Sequence, residues 1–529
     1  MSFFKIYILF FCIEKLTKKL YNMHDYILLK GEVDMCEKKG YKSIIKVVIF
    51  SLLVLLYIIA LYEVKLQNDT FFDIKLGEKY LSEGIVKEDS FSIHEDMSYI
   101  AQHLGVNIIT YLVYSNFGYN GLYILGILLT SLIAVLFYRL NINFLKRKKL
   151  AYVFVFIELY FMQSFLSIRA QMYSYIIFLI EILIIEKFIK SKKKLYLIVL
   201  SVMPMILINL HAGVVPFYFI ILGVYFLNIL RIKISKIEYD EEARKVSLYL
   251  LIPIFIGMAL LFINPFGIDA ITYGFKTLSN NFINNYISEF QPFSLKNSCG
   301  VIIAIYAAIF IFTFIFTKKK IKIHHFLLLF GTMFMTLVSL RHFSLFIICS
   351  ITCLAYIESL IDELMNYIFF DMQEKGKELV RGVFIFVITI VLIRTAIATS
   401  ANNDNTSFLP EDTYPLEAIE YINNNIGKDK RIFNEYTWGS LMMCEDIKVF
   451  IDSRADLYTK EYSGKENDIG LDYIKINNCS GNYIKLLEKY DIEYLFIRKS
   501  SNLAKNILEH EEYKMVYQDD ISCIIKKVN

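Results

Sequence analysis

The sequence predicts an α-helical polytopic membrane protein with about eleven spanning helices, followed by a small α/β domain outside the cytoplasm. Three observations carry this. Of the 529 residues, 56% are hydrophobic and the mean hydropathy is +0.47, more apolar surface than one water-soluble globule can hide. Charged residues, 20% of the chain, gather into short runs between long apolar stretches, as helices that satisfy their own backbone in hydrocarbon require. After residue 400 the pattern changes to polar residues interleaved among short strand-like runs.

The apolar stretches fall at 46–63, 119–138, 151–167, 171–187, 195–209, 214–230, 247–263, 301–317, 325–340, 343–360 and 379–398. At about 15 to 20 residues each they are near the length that crosses a hydrocarbon core of about 30 Å. Residues 3–13 are apolar over too short a distance to span and lack a small-residue cleavage site. The expected division is a cytoplasmic segment 1–45, a transmembrane domain 46–400 with an extracytoplasmic loop 65–117, and an extracytoplasmic α/β domain 401–529.

Orientation follows from Lys and Arg, which stay on the cytoplasmic side in short loops. Alternate loops carry Lys146 to Lys149 around Arg147, then Lys187, Lys190 and Lys192 to Lys194, then Arg231, Lys233 and Lys236, then Lys318 to Lys320 with Lys322, and finally Lys375, Lys377 and Arg381. A miscounted helix in the middle would break this alternation. The expected location is the plasma (cytoplasmic) membrane, crossed many times, with loops 65–117 and 264–300 and the tail facing out. The net charge of +4 is spread over these loops, and no nucleic-acid partner is implied.

Within the first outer loop, residues 69–81 read as a helix lying on the membrane surface, and 105–114 as an apolar helix too short to cross. In the tail, 448–451, 492–497 and 523–525 read as strands and 416–424, 483–490 and 502–510 as helices, an alternation that argues for an α/β domain. Cys349 and Cys353 read as small core residues of an apolar helix. Cys444, Cys479 and Cys523 face out, and no pairing follows from their spacing.

Chemistry is concentrated on the outer side. Asp69, just beyond the first spanning helix, stands where a lipid phosphate meets water and can take a proton from an incoming hydroxyl. Its plain alternative is capping of the surface helix, with Asp73 one turn along. Arg169, His211, Arg341 and His342 stand at predicted outer helix ends and can hold phosphate by charge-assisted hydrogen bonds. The alternative for the arginines is snorkelling to the interface. Tyr436 and Trp438 can stack on a sugar face while Asn434 and Asp452 bond its hydroxyls, and ordinary aromatic packing is the competing reading. Asp69, Asp89, Glu95, His94 and His103 offer ligands for a divalent cation such as Mg or Mn, although no spacing demands one.

Taken in order, Asp69 with Gly77-Glu78, Asp89-Ser90-Phe91-Ser92, Arg169-Ala170-Gln171, Asn209-Leu210-His211, Asn264-Pro265-Phe266-Gly267 and Arg341-His342 resemble the polytopic glycosyltransferases of the GT-C superfold. The tail block around Asn434, Tyr436 and Trp438 and the run from Phe450 through Asp452 and Arg454 to Tyr458 resemble the C-terminal part of bacterial members. The resemblance implies a polyprenyl-phosphate-linked sugar as donor, transfer on the outer side to a glycan, lipid or protein acceptor, and Asp69 as base. Together with the residue chemistry above, the expected site has Arg169, His211, Arg341 and His342 around the phosphate, Asp73, Asp89 and His103 in support, and Tyr436, Trp438, Asp452 and Arg454 toward the acceptor. Where relatives show Trp and His after the aspartate, this chain has Phe71, Phe72 and Asp73. Two other classes compete: a transporter or flippase of lipid-linked glycans, which favours charged groups near the bilayer midplane, and a non-catalytic scaffold of envelope assembly, which tolerates loss of Asp69.

Overall fold

A computed structural model describes residues 35–278, 281–296, 298–402, 407–463 and 468–528. The apolar run 3–13 and most of the segment 1–45 lie outside the described residues. Each of the eleven apolar stretches is helical. Among the described residues, five helical segments are long and apolar enough to cross a membrane: Leu104–Phe144, Ala212–Leu230, Glu241–Leu260, Cys299–Phe316 and Leu340–Ile368. Val47–Leu61, Leu195–Leu210 and Ile323–Val338 are shorter apolar helices. Large apolar side chains such as Leu128, Ile198, Phe255 and Ile305 stand exposed on their outer faces, as expected where the solvent is lipid.

The helix Leu104–Phe144 joins two segments that the sequence reads as separate. It bends at Gly118, whose φ of 59° and ψ of −157° a residue without Cβ adopts at little cost. The surface helix runs Asn68–Ser82 and buries one face. At Gly77 it lies so close to the 104–144 helix that a Cβ would overlap the Asn107 carbonyl oxygen, which explains the glycine there.

The basic loops meet one another at one end of the bundle. Strands β1 (Lys233–Ile234) and β2 (Ile237–Glu238) form a hairpin, and β2 pairs in parallel with β3 (Ile321–Lys322). Around them Arg147 pairs with Asp362 at 2.6 Å, Lys192 with Glu242 at 3.2 Å, and Lys322 with Asp240. Loops expected on one side of the membrane by charge therefore do share one end.

The tail and the other two loops gather elsewhere. The tail holds a mixed four-stranded sheet of β4 (Ile432–Asn434), β5 (Tyr494–Arg498), β6 (Tyr513–Gln518) and β7 (Ser522–Lys527), in the order β4-β5-β7-β6 with β4 and β5 parallel. Residues 448–451 are not a strand of this sheet. Val449 bridges Ser92 instead, with its N–H donating to the Phe91 carbonyl at 3.1 Å and its carbonyl accepting from Ile93 at 2.8 Å. The apolar run does pair as extended backbone at Val449, but its partner is the 65–117 loop. Further ties are Asn68 Nδ2 to the Tyr436 carbonyl (3.2 Å), Lys75 to Asp446 (2.6 Å) and the Tyr414 hydroxyl to the Leu66 carbonyl (2.7 Å).

Candidate active-site cleft

Asp69 occupies the first turn of the surface helix but does not cap it. The N-cap is Gln67, which makes no side-chain capping bond. The Asp69 carboxylate turns instead to Arg169, with Oδ2 2.5 Å from Nη2. Arg169 is the N-cap of the helix Ala170–Ser191, held in extended backbone, so its side chain leaves the helix end rather than lying along it. Its guanidinium also donates to Glu289, at 2.6 Å from Nη1 and 3.4 Å from Nη2. One arginine thus joins the 65–117 loop to the 264–300 loop. Burial opposes ionisation of Glu289, but the charge and hydrogen bond of Arg169 outweigh it and hold its pKa below the usual carboxylate range. Glu289 was not singled out from the sequence, since nothing in its local spacing marks it.

The cleft beside this group is lined by Arg169, Ser174, Tyr175, His211, Glu289, Arg341 and His342 among others. Arg341 lies over the Phe290 ring, its guanidinium carbon 4.3 Å from the centroid, a cation–π contact that orients the group without neutralising it. Among the described residues Arg341 has no carboxylate within ion-pair distance. His211 terminates the helix Leu195–Leu210 and its Nδ1 lies 2.8 Å from the Ser174 hydroxyl. His342 sits in the turn before Phe343, with Nδ1 3.3 Å from the Met335 carbonyl.

Asp73 lies deeper than Asp69. It accepts from Asn107 Nδ2 at 2.8 Å, and His103 Nδ1 is 3.7 Å away. Burial pushes the Asp73 pKa up, against the pull of His103. The His103 ring in turn stands 5.0 Å from that of His211, edge to face. Asp69, Asp73, His103, Arg169, His211, Arg341 and His342 therefore form one connected region.

The remaining candidates divide. Tyr436 is half-buried and tied to the surface helix through Asn68, next to Asp69. Trp438 is fully buried. Its indole N–H donates to the Thr413 carbonyl at 2.9 Å, and its ring meets Phe496 and the Arg498 guanidinium, which leaves no face for a sugar. Asp89, Asp452 and Arg454 form a sealed triad. Arg454 donates to Asp89 at 2.7 Å and twice to Asp452, at 2.9 and 2.6 Å, while the Tyr458 hydroxyl donates to Asp452 at 2.6 Å. Burial disfavours every charge in it, yet the attraction between them raises the pKa of Arg454 and lowers that of Asp89. A second pair missed in the sequence, the Tyr273 hydroxyl donating to Asp456, links the 264–300 loop to the tail.

No protein-family model matches the chain, and no curated protein matches its sequence. Solved structures do match it in three dimensions. The archaeal oligosaccharyltransferase AglB from Archaeoglobus fulgidus, in complex with an inhibitory peptide and a dolichol-phosphate, has a TM-score of 0.60 at 8% identity, over 88% of this chain and 70% of that one. The Archaeoglobus fulgidus oligosaccharyltransferase tethered to an acceptor peptide gives 0.55 at 10% identity, over 85% and 69%. ArnT from Cupriavidus metallidurans bound to undecaprenyl phosphate gives 0.51 at 10% identity, over 90% and 97%. With its apolar helices, the helix Asn68–Ser82 behind the first of them and its tail folded over loops 65–117 and 264–300, the chain shares the GT-C fold of AglB and ArnT.

Proposed function

We propose that this protein is a membrane glycosyltransferase that moves a sugar from a polyprenyl-phosphate-linked donor to a glycan, lipid or protein acceptor of the cell envelope. The observation that carries the reading is the cleft that Arg341, without a carboxylate partner among the described residues, lines together with Glu289 and with Arg169, which in turn holds Asp69. Such a cation beside a ready carboxylate suits a substrate that brings its own phosphate. The dolichol-phosphate held by AglB and the undecaprenyl phosphate held by ArnT support a lipid phosphate as that group.

In the proposed reaction the acceptor oxygen attacks the anomeric carbon, the bond from that carbon to the phosphate oxygen breaks, and the lipid phosphate leaves with the electron pair. Asp69 accepts the acceptor proton on Oδ1, while Oδ2 on Arg169 fixes the carboxylate in place. Arg341, with His211 and His342 beside it, stabilises the charge that develops on the departing phosphate. Asp73 and His103 support the floor of the cleft, and Tyr436 meets the acceptor. Asp89, Asp452 and Arg454 hold the outer loop to the tail. Asp69 and Glu289 already share a guanidinium, so a Mg or Mn ion would have to displace Arg169 to bind them, and the arginine supplies the charge balance.

Eleven crossings, with the basic loops in the cytoplasm and the cleft outside the plasma membrane, fit this chemistry. A flippase is the less favoured alternative: the ionisable groups of the cleft stand at helix ends and loops rather than along a path through the bundle. The test is incubation of the purified protein with a panel of polyprenyl-phosphate sugars and candidate acceptors. Release of lipid phosphate that requires Asp69 supports the reading. Movement of the intact lipid-linked glycan across a vesicle membrane without that release would replace it with the transporter.

A further inference from the structure

At the end of the bundle that carries the basic loops, three buried side chains converge from two helices. Glu186 belongs to Ala170–Ser191, and His324 and His325 open Ile323–Val338. Their exposures are 4%, 0% and 3%, and their ligand-type atoms all lie within 4.8 Å of one another. Glu186 is about 25 Å along its helix from Arg169, so this cluster is separate from the cleft and independent of the function proposed for it.

The hydrogen bonds around the cluster set which ring atoms remain available. His324 Nδ1 is 3.2 Å from Asn228 Oδ1 and 3.1 Å from Asn228 Nδ2. The Asn228 amide is oriented by other partners, since its Nδ2 donates to the Tyr225 carbonyl at 2.8 Å and its Oδ1 accepts from the Asp240 N–H at 2.9 Å. With its Nδ1 proton directed to Oδ1, His324 keeps a lone pair on Nε2, the tautomer that the proposed site requires. His325 Nδ1 is 3.0 Å from the Tyr356 hydroxyl, which also accepts from the Lys322 N–H at 2.9 Å. The Nε2 atoms of both rings are buried without a hydrogen-bond partner, and His325 Nε2 lies 3.8 Å from Glu186 Oε1, too far for a hydrogen bond. Glu186 itself receives the Tyr225 hydroxyl at 2.9 Å. Among the described residues no Lys or Arg pairs with it.

Two orphan ring nitrogens and a carboxylate without a cation, all interior, are individually costly. One partner removes all three costs together. We propose that Glu186, His324 and His325 form a binding site for a divalent transition metal, zinc being the ion whose preference for imidazole and carboxylate they match, with the Tyr225 hydroxyl or a water in the fourth position. Ligand atoms of a tetrahedral zinc site are about 3.3 Å apart, given bonds of about 2.0–2.2 Å, so modest side-chain rotation closes the present spacing. The outward Nδ1 contacts to Asn228 and Tyr356 are the supporting bonds that metal-binding histidines ordinarily make. Full burial makes the site structural: the ion staples the helix Ala170–Ser191 to Ile323–Val338 and, through Asn228 and Asp240, to the basic loops.

The test is made on the untagged full-length protein, purified in detergent without a chelating resin. Elemental analysis is expected to find about one zinc per chain. Chelation is expected to lower the melting temperature, and Co(II) added back is expected to give the visible absorption of a tetrahedral site without thiolate charge transfer. The double variant Glu186→Gln with His325→Gln keeps size and polarity and is expected to lose the metal, whereas Asp73→Asn in the cleft keeps it. If the double variant fails to fold, the cobalt spectrum of the parent decides. Parent protein that retains under about a tenth of an equivalent and shows no cobalt band overturns the proposal, as does a thiolate band or undiminished metal in a folded double variant.

Discussion

Two arginines in this protein each sit between two carboxylates, and they do opposite things. Arg454 lies between Asp89 and Asp452 with all three side chains at most 3% exposed. Arg169 lies between Asp69 and Glu289 with 18%, 22% and 43% exposure. The first assembly is filled by hydrogen bonds from Arg454, Ser92 and Tyr458. In the second, Arg169 Nε is buried without a partner, and the group opens on a cleft that contains a further arginine. Identical charge composition thus makes a clamp where every donor is used and a site where some are left over. The distinction lies in satisfaction and access, not in residue type.

The largest effect should come from breaking the clamp. Arg454→Met strands two buried carboxylates and is expected to cost about 3–5 kcal/mol, read as loss of folded yield and a lower melting temperature by the fluorescence of Trp438, the only tryptophan. Parental stability would mean that the triad is not what joins loop to tail. Asp69→Asn, by contrast, should leave the melting temperature nearly unchanged and lower turnover about 10²–10⁴-fold, the usual worth of a general base. Near-parental turnover would remove Asp69 from the chemistry. Arg341→Met is expected to cost about 10²–10³-fold in kcat, the loss seen when one transition-state donor is removed, again with the fold retained. An effect confined to KM would move Arg341 to ground-state binding.

The smallest effect is expected at Asp73. Its folded-state pKa is raised by burial, so the stability it contributes is present below its ordinary value near 3.8 and is lost as pH rises through the raised value. Asp89 is lowered and acts in the other sense, its contribution being lost as pH falls through its folded value. Asp73→Asn keeps the bond from Asn107 and removes the alkaline cost. Its stability above that window should equal or exceed the parent's by about 1 kcal/mol or less, measured as melting temperature against pH. A flat difference across pH would show that Asp73 binds its proton alike in the folded and unfolded states. For the frame of the whole comparison, single cysteines at the exposed positions Ser90 and Ser480 should react with an impermeant thiol reagent in intact cells, and one at the exposed Ser191 should not.

The helices were legible because each is a continuous apolar run, a local property. Asp69, Arg169, His211 and Arg341 were legible because they punctuate the ends of those runs. What escaped was non-local. Glu289 looks like any acidic loop residue until the fold brings it to Arg169, 120 residues away. The run 448–451 has the short apolar character of a strand, but its partner Ser92 lies in another region of the chain. Asp89, Asp452 and Arg454 carry the same residue types as a ligand-binding group, and only burial separates the two uses. The helix cap expected of Asp69 failed for the same reason: a distant guanidinium competed better for the carboxylate than its own backbone.

The clamp between Asp89 and Arg454 spans 365 residues of chain, and this sets a schedule for assembly. At about 5–20 residues per second, the ribosome needs roughly 20–70 s after making the 65–117 loop before it makes the arginine that completes it. For that interval the loop stands without the tail residues that cover its backbone and its buried carboxylate. A cell that makes this protein must therefore shelter a half-finished loop surface for most of a minute, and the synthesis stage most exposed to proteolysis is the one just before the tail arrives.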